Sequence, residues 1–416
     1  IAFLFFSNSL IFKSVNDSEK KIYTDKINNR IEIYENFYGI PHIIAKSDDD
    51  LFFAIGYFQA KERLWQMEYF RRIAQGRLSE IFGESTLKYD KFFRSLGIKE
   101  ASDSIYTSLN PISKRILNKF SEGVNSYIEN NSENFSFEFS ALDCKPEVWK
   151  PQHSIMLGRM MAFELSISFW IDIALGEIAQ KIGIENAKQL IPEYPISAPH
   201  IVDDSVFSIK KNNNITNNSF NRNLNLNGFA SYLREIRENL GLSGSSIGSN
   251  SFAIKTFDST KNKSSIIFAN DPHLTLQLPP RWLQMHISSD NFNVSGMTVP
   301  GIPFIISGRN DDIAFGITNV MNDDIDFFIE TIDSSGKYYF RNDSTQKNKI
   351  KYQLDSINIK NREALKYYRK FTDISEIISD EHLLNYPDEI FKKKHLKRPS
   401  YLRNNVITFK WSAKAK

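Results

Sequence analysis

Apolar and polar residues alternate along RIEIYENFYGIPHIIAKS, residues 30–47, on either side of a break at Gly39 to Pro41, which predicts two short strands joined by a turn. The period then changes. Asp48, Asp49 and Asp50 follow Ser47 and suit a helix N-terminus, where carboxylates meet the positive end of the dipole, and Leu51, Ala54, Ile55 and Phe58 recur at helical spacing. The predicted helix runs to about Ala74 and stops at Gly76. Residues 85–195 keep a mostly helical pattern, strongest in ISKRILNKFSEGVNSYIEN and SIMLGRMMAFELSISFWIDIALGEIAQKI.

Between residues 203 and 248 the pattern fades. KKNNNITNNSFNRNLNLN is polar and Asn-rich, and a short amphipathic piece, ASYLREIRENLG, leads into SGSSIG, so the segment reads as a linker or a removable spacer. Beyond it FAIKTF, SSIIFAN, RWLQMHISS, FNVSGMTVPG, PFIISGRN and DIAFGITN are short β-rich runs between turn residues, which predict an antiparallel sheet. Helices, a polar connector and then strands give an α+β class rather than an alternating βαβ one. No internal repeat stands out.

Composition adds bounds. The chain has 416 residues, 41% hydrophobic and 24% charged, an ordinary globular balance able to bury one large core or two. Its net charge of +3 arises from 52 basic and 49 acidic residues spread along the chain, which disfavours nucleic acid as a partner. The single cysteine, Cys144, has no second Cys or His beside it for a zinc site and reads as a buried bystander thiol. IAFLFFSNSLIF at the start is apolar and lacks a Met, like the end of a signal peptide or a membrane anchor, and no other stretch approaches the roughly 20 apolar residues of a membrane-spanning helix.

Familiar catalytic signatures are absent: there is no G-x-S-x-G elbow, H-E-x-x-H, P-loop or glycine-rich dinucleotide turn, and the seven histidines show no metal spacing. The seam GSSIGSNSFAIKTF remains. It reads either as a loop entering a strand or as a concealed N-terminus. A serine at the head of a mature chain has its own α-amino group as a base, titrating near about 7.7–8.0, and such an amine activates a neighbouring hydroxyl without a triad. For Ser249 this requires the Gly248–Ser249 bond to break, and Gly248, without a Cβ, permits close approach.

The surrounding motifs resemble the penicillin acylase family of N-terminal nucleophile (Ntn) hydrolases, over most of residues 30–330. Gly39 to Gly83 is similar to that family's α-chain opening, with Gly56, Gln59, Ala60, Arg63, Gln66, Met67, Glu68, Arg71, Arg72, Gly76, Arg77, Leu78 and Glu80 matching, and PEVWKPQ resembles its P-x-x-W-x-P element. Downstream, SNSFAI resembles S-N-N-W-x-V, ANDPHL matches as it stands, and PGIPFIISGRNDDIAFGITN resembles the family's P-G-x-P-x-x-x-G-x-N-x-x-I-A-W-G-x-T-N.

The resemblance implies roles. Ser249 is the expected nucleophile, its amine the base, and the backbone N–H of Asn319 one oxyanion donor. His273 stands where cephalosporin-type acylases carry a histidine that orients the nucleophile or relays a proton; its other reading is a structural turn histidine. NDDIDFF is rich in hard oxygen ligands and reads equally well as a carboxylate cluster neutralised by a cation or as a solvated turn; the resemblance places a Ca²⁺ there, held by Asp323, Asp326 and the carbonyl of Ile325, with Asp172 as the α-chain carboxylate. Met161, Phe163, Leu274 and Ser307 are candidates for the acyl pocket, Met161 and Phe163 reading equally well as helix core.

The expectation is therefore an Ntn-type α+β protein with an αββα sandwich, divided into an anchor or signal remnant (1–20), a helix-rich α-chain region (21–202), a spacer removed on maturation (203–248) and the start of a β chain (249–416). It would be a periplasmic or secreted, self-processing amidohydrolase acting on a small N-acyl amide, with no organic cofactor. The nearest alternatives are an acyl-homoserine lactone or cephalosporin-type acylase; a non-catalytic calcium-stabilised binding homologue is the alternative from another class. The family's second oxyanion donor, an asparagine side chain far down the β chain, is expected beyond Lys416, where WSAKAK reads as a mid-domain break.

Overall fold

The computed structural model describes residues 21–132, 134–166, 168–191, 226–242, 248–274, 276–320, 322–333, 335, 337–340, 347–378 and 405–412. The apolar opening, the Asn-rich part of the connector (203–225), residues 243–247 and the last four residues lie outside these.

β1 (Glu32–Glu35) and β2 (Pro41–Ile44) form the expected antiparallel pair, in register Glu32 to Ile44. Helix α1 (Asp48–Gln75) begins where the Ser47 hydroxyl accepts the Asp50 N–H at 3.2 Å, and its one irregular residue inside is Arg63, at φ −141° and ψ 20°. It ends at Gly76, whose left-handed backbone (φ 61°, ψ 55°) only glycine adopts freely, and where a Cβ would stand 2.4 Å from the Asp90 carbonyl oxygen. Helices α2 (Leu87–Leu96), α3 (Ile98–Ser108), α4 (Pro111–Asn130), α5 (Pro151–Leu165) and α6 (Ser168–Ile182) follow, with shorter turns between them.

Part of the connector is folded against the helices. Its amphipathic piece is helix α7 (Leu226–Asn239), and Leu233, Ile236, Leu240 and Leu242 are buried in one core with Phe92, Phe163 and Phe169. Burying four leucine or isoleucine side chains stabilises this docking by roughly 1.5–3 kcal/mol each before ordering costs. A second core joins Leu51, Phe52, Ile55 and Phe58 of α1 to Phe120 and Val124 of α4 and to the sheet residues Ile43, Met285 and Ile287. Cys144 is half-buried against that core, not fully enclosed, and burial pushes its thiol above its ordinary range, which disfavours the reactive thiolate.

Several positions of the α-chain resemblance form one ionic network at the end of α1. Glu68, 1% exposed, accepts from Arg71 Nη2 at 2.5 Å and Arg72 Nε at 2.6 Å, while Glu147 of PEVW accepts from Arg71 at 3.0 Å, Arg72 at 3.1 Å and Arg77 at 2.6 Å. Burial raises the Glu147 carboxyl, but Arg77, Arg71 and Arg72 outweigh it and bring the pKa down to about 2. The buried charges of Glu68, Arg71 and Arg72 are tolerable because each is paired.

The strands are β3 (Gly248–Asp258), β4 (Lys263–His273), β5 (Leu283–Ser288), β6 (Asn293–Thr298), β7 (Ser307–Arg309), β8 (Ala314–Phe315), β9 (Ile325–Ile332), β10 (Tyr338–Phe340), β11 (Asn348–Lys349), β12 (Lys351–Ile357), β13 (Leu365–Phe371) and β14 (Asn405–Trp411). They are distributed over several sheets rather than one. One sheet has the order β1-β2-β5-β6-β7-β8, with β2 and β5 parallel; a second has β11-β10-β9-β14; β12 pairs with β13, and β3 with β4. The class is nonetheless α+β. Among the described residues no helix is long and apolar enough to cross a membrane.

Candidate active site

Gly248 and Ser249 open β3, and the hairpin register sets Gly248 opposite His273 and Ser249 opposite Pro272. A Cβ on Gly248 would lie 3.3 Å from His273 Nδ1, a tight contact that the exposed imidazole would relieve by shifting a few tenths of an ångström. The other ring nitrogen, Nε2, lies 2.7 Å from Asp271 Oδ2, so the carboxylate fixes the imidazole's orientation.

Across from the hairpin, the chain leaving β8 brings the Asn319 backbone N–H to the Ser249 hydroxyl, donating to Oγ at 2.9 Å. The Asn319 side chain points the other way and donates to the Leu165 carbonyl at 2.9 Å, one of the acceptors that the end of α5 leaves without a helical partner. Asn319 thereby ties the half-buried hydroxyl of Ser249 to the helix that bears Met161 and Phe163.

Asn270, three residues before His273, uses its whole amide. Nδ2 donates to the carbonyls of Asn250 (3.2 Å) and Ile317 (2.9 Å), and Oδ1 accepts from the Ser307 hydroxyl (2.9 Å) and the Ile317 N–H (3.2 Å). Sequence reading passed over this residue, although it lies within the ANDPHL motif. It assigned Ser307 to the acyl pocket, and the structure shows its hydroxyl engaged with Asn270.

Met161 is half-buried and lines a small pocket with Leu157, Met160, Val299 and Pro300. Phe163 is 3% exposed and packs edge-on against Phe93, Phe169 and Trp411 with centroids 6.2, 5.3 and 5.9 Å away, so it stands in the aromatic core. Leu274 follows directly on β4 and is half-buried.

Of the acidic run, Asp324, which sequence reading omitted, makes the direct protein contacts. Its carboxylate accepts from the hydroxyls of Ser166 (2.6 Å) and Ser168 (2.7 Å) and from Trp411 Nε1 (3.0 Å), tying the junction of α5 and α6 to β14. Asp323 and Asp326 are exposed, Ile325 is 1% exposed and Asp172 is half-buried. Burial, and then the negative charges of Asp323 and Asp326, push the Asp172 carboxyl up to about 6. Among the described residues no three His, Cys, Asp or Glu side chains converge as a ready metal cage. The donors that influence one another are nevertheless hard oxygens, the class that suits Ca²⁺.

Residues 30–414 match the penicillin amidase family. The chain is 30% identical over 326 residues to the acyl-homoserine lactone acylase QuiP of Pseudomonas syringae pv. syringae, covering 78% of this chain and 37% of that protein. It is 26% identical to the penicillin acylase 2 proenzyme of Pseudomonas sp. strain SE83, covering 74% and 38% respectively, and 25% identical to the penicillin G acylase of Escherichia coli, covering 82% and 44%. The chain thus spans less than half the length of these relatives. With its match running from the first strand through β14, the chain belongs to the penicillin amidase family.

Proposed function

We propose that this chain carries the nucleophile of a self-processing amidohydrolase that cleaves small N-acyl amides through an acyl-enzyme on Ser249. One observation carries the reading: the Ser249 hydroxyl, at the head of a strand and directly after Gly248, accepts the Asn319 N–H at 2.9 Å. That N–H is thereby within reach of an oxyanion developing on a carbon bonded to Oγ.

Maturation comes first. Ser249 Oγ attacks the Gly248 carbonyl carbon, the Gly248–Ser249 C–N bond breaks, and the released amine is the α-amino group of Ser249. Water then hydrolyses the resulting ester, leaving a Gly248 carboxylate and a free Ser249 hydroxyl. The new amine, with an ordinary pKa of about 7.7–8.0, is the base for turnover. It takes the Oγ proton as Oγ bonds to the substrate carbonyl, and passes it to the departing amine as the amide C–N bond breaks. Water repeats the sequence and frees the acid. The name of the SE83 relative, a proenzyme, agrees with such processing.

Asp172, Asp323, Asp326 and the Ile325 carbonyl would hold a Ca²⁺, whose charge would offset the burial and then the carboxylate repulsion that raise Asp172. By the same family reading, residues from 203 to Gly248 are the spacer, α7 included, and the protein works in the periplasm or outside the cell. The lactone acylase is the more similar of the relatives described, which favours N-acyl homoserine lactones for the first assays beside β-lactam amides. The test is a panel of N-acyl amides offered to the full-length protein, followed by mass mapping of a trapped acyl group. An acyl adduct on Ser249, absent from Ser249→Ala, supports the reading; turnover that persists in Ser249→Ala overturns it.

A further inference from the structure

Asn270 occupies an unusual position between the two parts of the site. Its amide bonds Asn250, the residue after the Ser249 hydroxyl, and both backbone groups of Ile317, two residues before the Asn319 N–H. The nucleophile and its hydrogen-bond donor come from different elements, β3 and the chain following β8, which are not paired as neighbouring strands. Asn270 bonds to both. With the Ser307 hydroxyl also bound, its two donors and two acceptor positions are all used, so the side chain has one orientation and no spare partner. The chain is shaped to receive it: a Cβ on Gly316 would meet Asn270 Cγ and Oδ1 at 2.6 Å, and Gly316 needs no left-handed backbone that would otherwise explain the glycine.

We propose that Asn270 is a positioning residue, a clamp that sets the Asn319 N–H against the Ser249 hydroxyl and so tunes both junction cleavage and acyl transfer. This rests on the reading of Ser249 as the nucleophile. The clamp acts on chemistry rather than on substrate binding, because it works through backbone groups on each side of the reacting hydroxyl, Ser307 being its one hydrogen-bond partner among the acyl-pocket candidates. A displacement of the order of 1 Å between reacting groups costs about 100-fold in rate.

The test uses Asn270→Asp in the full-length chain. This isostere keeps the shape and the acceptor but turns both N–H donors into an oxygen facing the carbonyls of Asn250 and Ile317. Active sites are titrated by Ser249 labelling with a serine-directed sulfonyl fluoride, and kcat and KM are measured per titrated site. The expected result is a fall in kcat of about 30- to 100-fold with KM changed less than about 3-fold. A purely structural role would lower the number of titrated sites and leave kcat per site unchanged, which overturns the proposal. Gly316→Ala displaces the same amide from the other side and is expected to reproduce the loss. The double variant should be little worse than the poorer single one, since both act through one clamp; independent, multiplying losses contradict it. If Asn270→Asp yields no folded protein, an unchanged kcat in Gly316→Ala overturns the clamp by itself. A wild type that takes no label at Ser249 refutes the underlying assignment instead, and needs no variant to show it.

Discussion

Gly123→Ala sets two effects of opposite sign against each other at the crossing of α1 and α4. In an exposed helix interior this change stabilises by about 0.8–1 kcal/mol. Here a Cβ at 123 would stand 1.9 Å from the Phe53 carbonyl oxygen and 2.9 Å from the Tyr57 nitrogen, and reciprocally one at Gly56 would stand 2.1 Å from the Phe120 carbonyl oxygen. Ordinary non-bonded contact needs about 3.5 Å, so the helices must part by roughly 1.5 Å. Ile55, Phe120 and Val124, each 0% exposed, and Phe52, 2% exposed, fill the surrounding core. With roughly 20 facing contacts each at about 0.15 kcal/mol, and about 40% of each lost across the gap, the four side chains forfeit about 5 kcal/mol before relaxation. Partial repacking and the helix preference of alanine together recover about 2–3, leaving a net loss of about 2–3 kcal/mol. Urea unfolding followed by far-UV circular dichroism measures it. Gly158→Ala in α5 is the control, because the nearest atom to its Cβ is Ile302 Cδ1 at 3.9 Å, and it is expected to be neutral or stabilising. A Gly123→Ala protein as stable as wild type would refute the close crossing.

Two further outcomes follow from buried charge. His153 is 4% exposed, and burial, then Arg71 and Lys150, push its imidazole down to about 3. The unfolded chain therefore takes up the proton first, near about pH 6.5, so this stability is complete above that pH and drains away as pH falls toward 3. Between pH 6 and 5 the loss is about 1 kcal/mol per unit, and chemical unfolding of His153→Gln should show a flatter pH slope; an unchanged slope removes His153 as the cause. For the Ca²⁺ proposal, ion at about 100 times its Kd adds about 2.7 kcal/mol of stability. Thermal melts with and without chelator should differ by several degrees, and Asp172→Asn should lose most of that difference; melts indifferent to chelator contradict the site.

How much was legible in the sequence depended on whether the information was local. Helix α1 was readable to within a residue or two because its cap, Ser47, its acidic first turn and its stop, Gly76, are written next to one another. The strands were readable as strands. Their assembly was not, because the parallel pairing of β2 with β5 joins residues some 240 positions apart and leaves no periodic trace. Helix α7 was legible only as an amphipathic piece, because what docks it, Leu233 and Ile236 within it and Leu240 and Leu242 just beyond it, packs against Phe92, Phe163 and Phe169, far away in sequence. At the candidate site, Ser249, Asn319 and His273 were singled out through motifs. Asn270 and Asp324 were missed because their roles are hydrogen bonds to distant backbone and side chains, which residue type alone does not announce.

The central claim, that Gly248–Ser249 is a processing junction and Ser249 the nucleophile it releases, is tested most directly at the junction itself. Intact-mass measurement and N-terminal sequencing of the full-length protein should give two chains, the second beginning Ser249-Asn250-Ser251, while Ser249→Ala stays as one. A wild-type protein that turns over N-acyl amides as a single uncut chain, or a Ser249→Ala variant cut at the same bond, would contradict it.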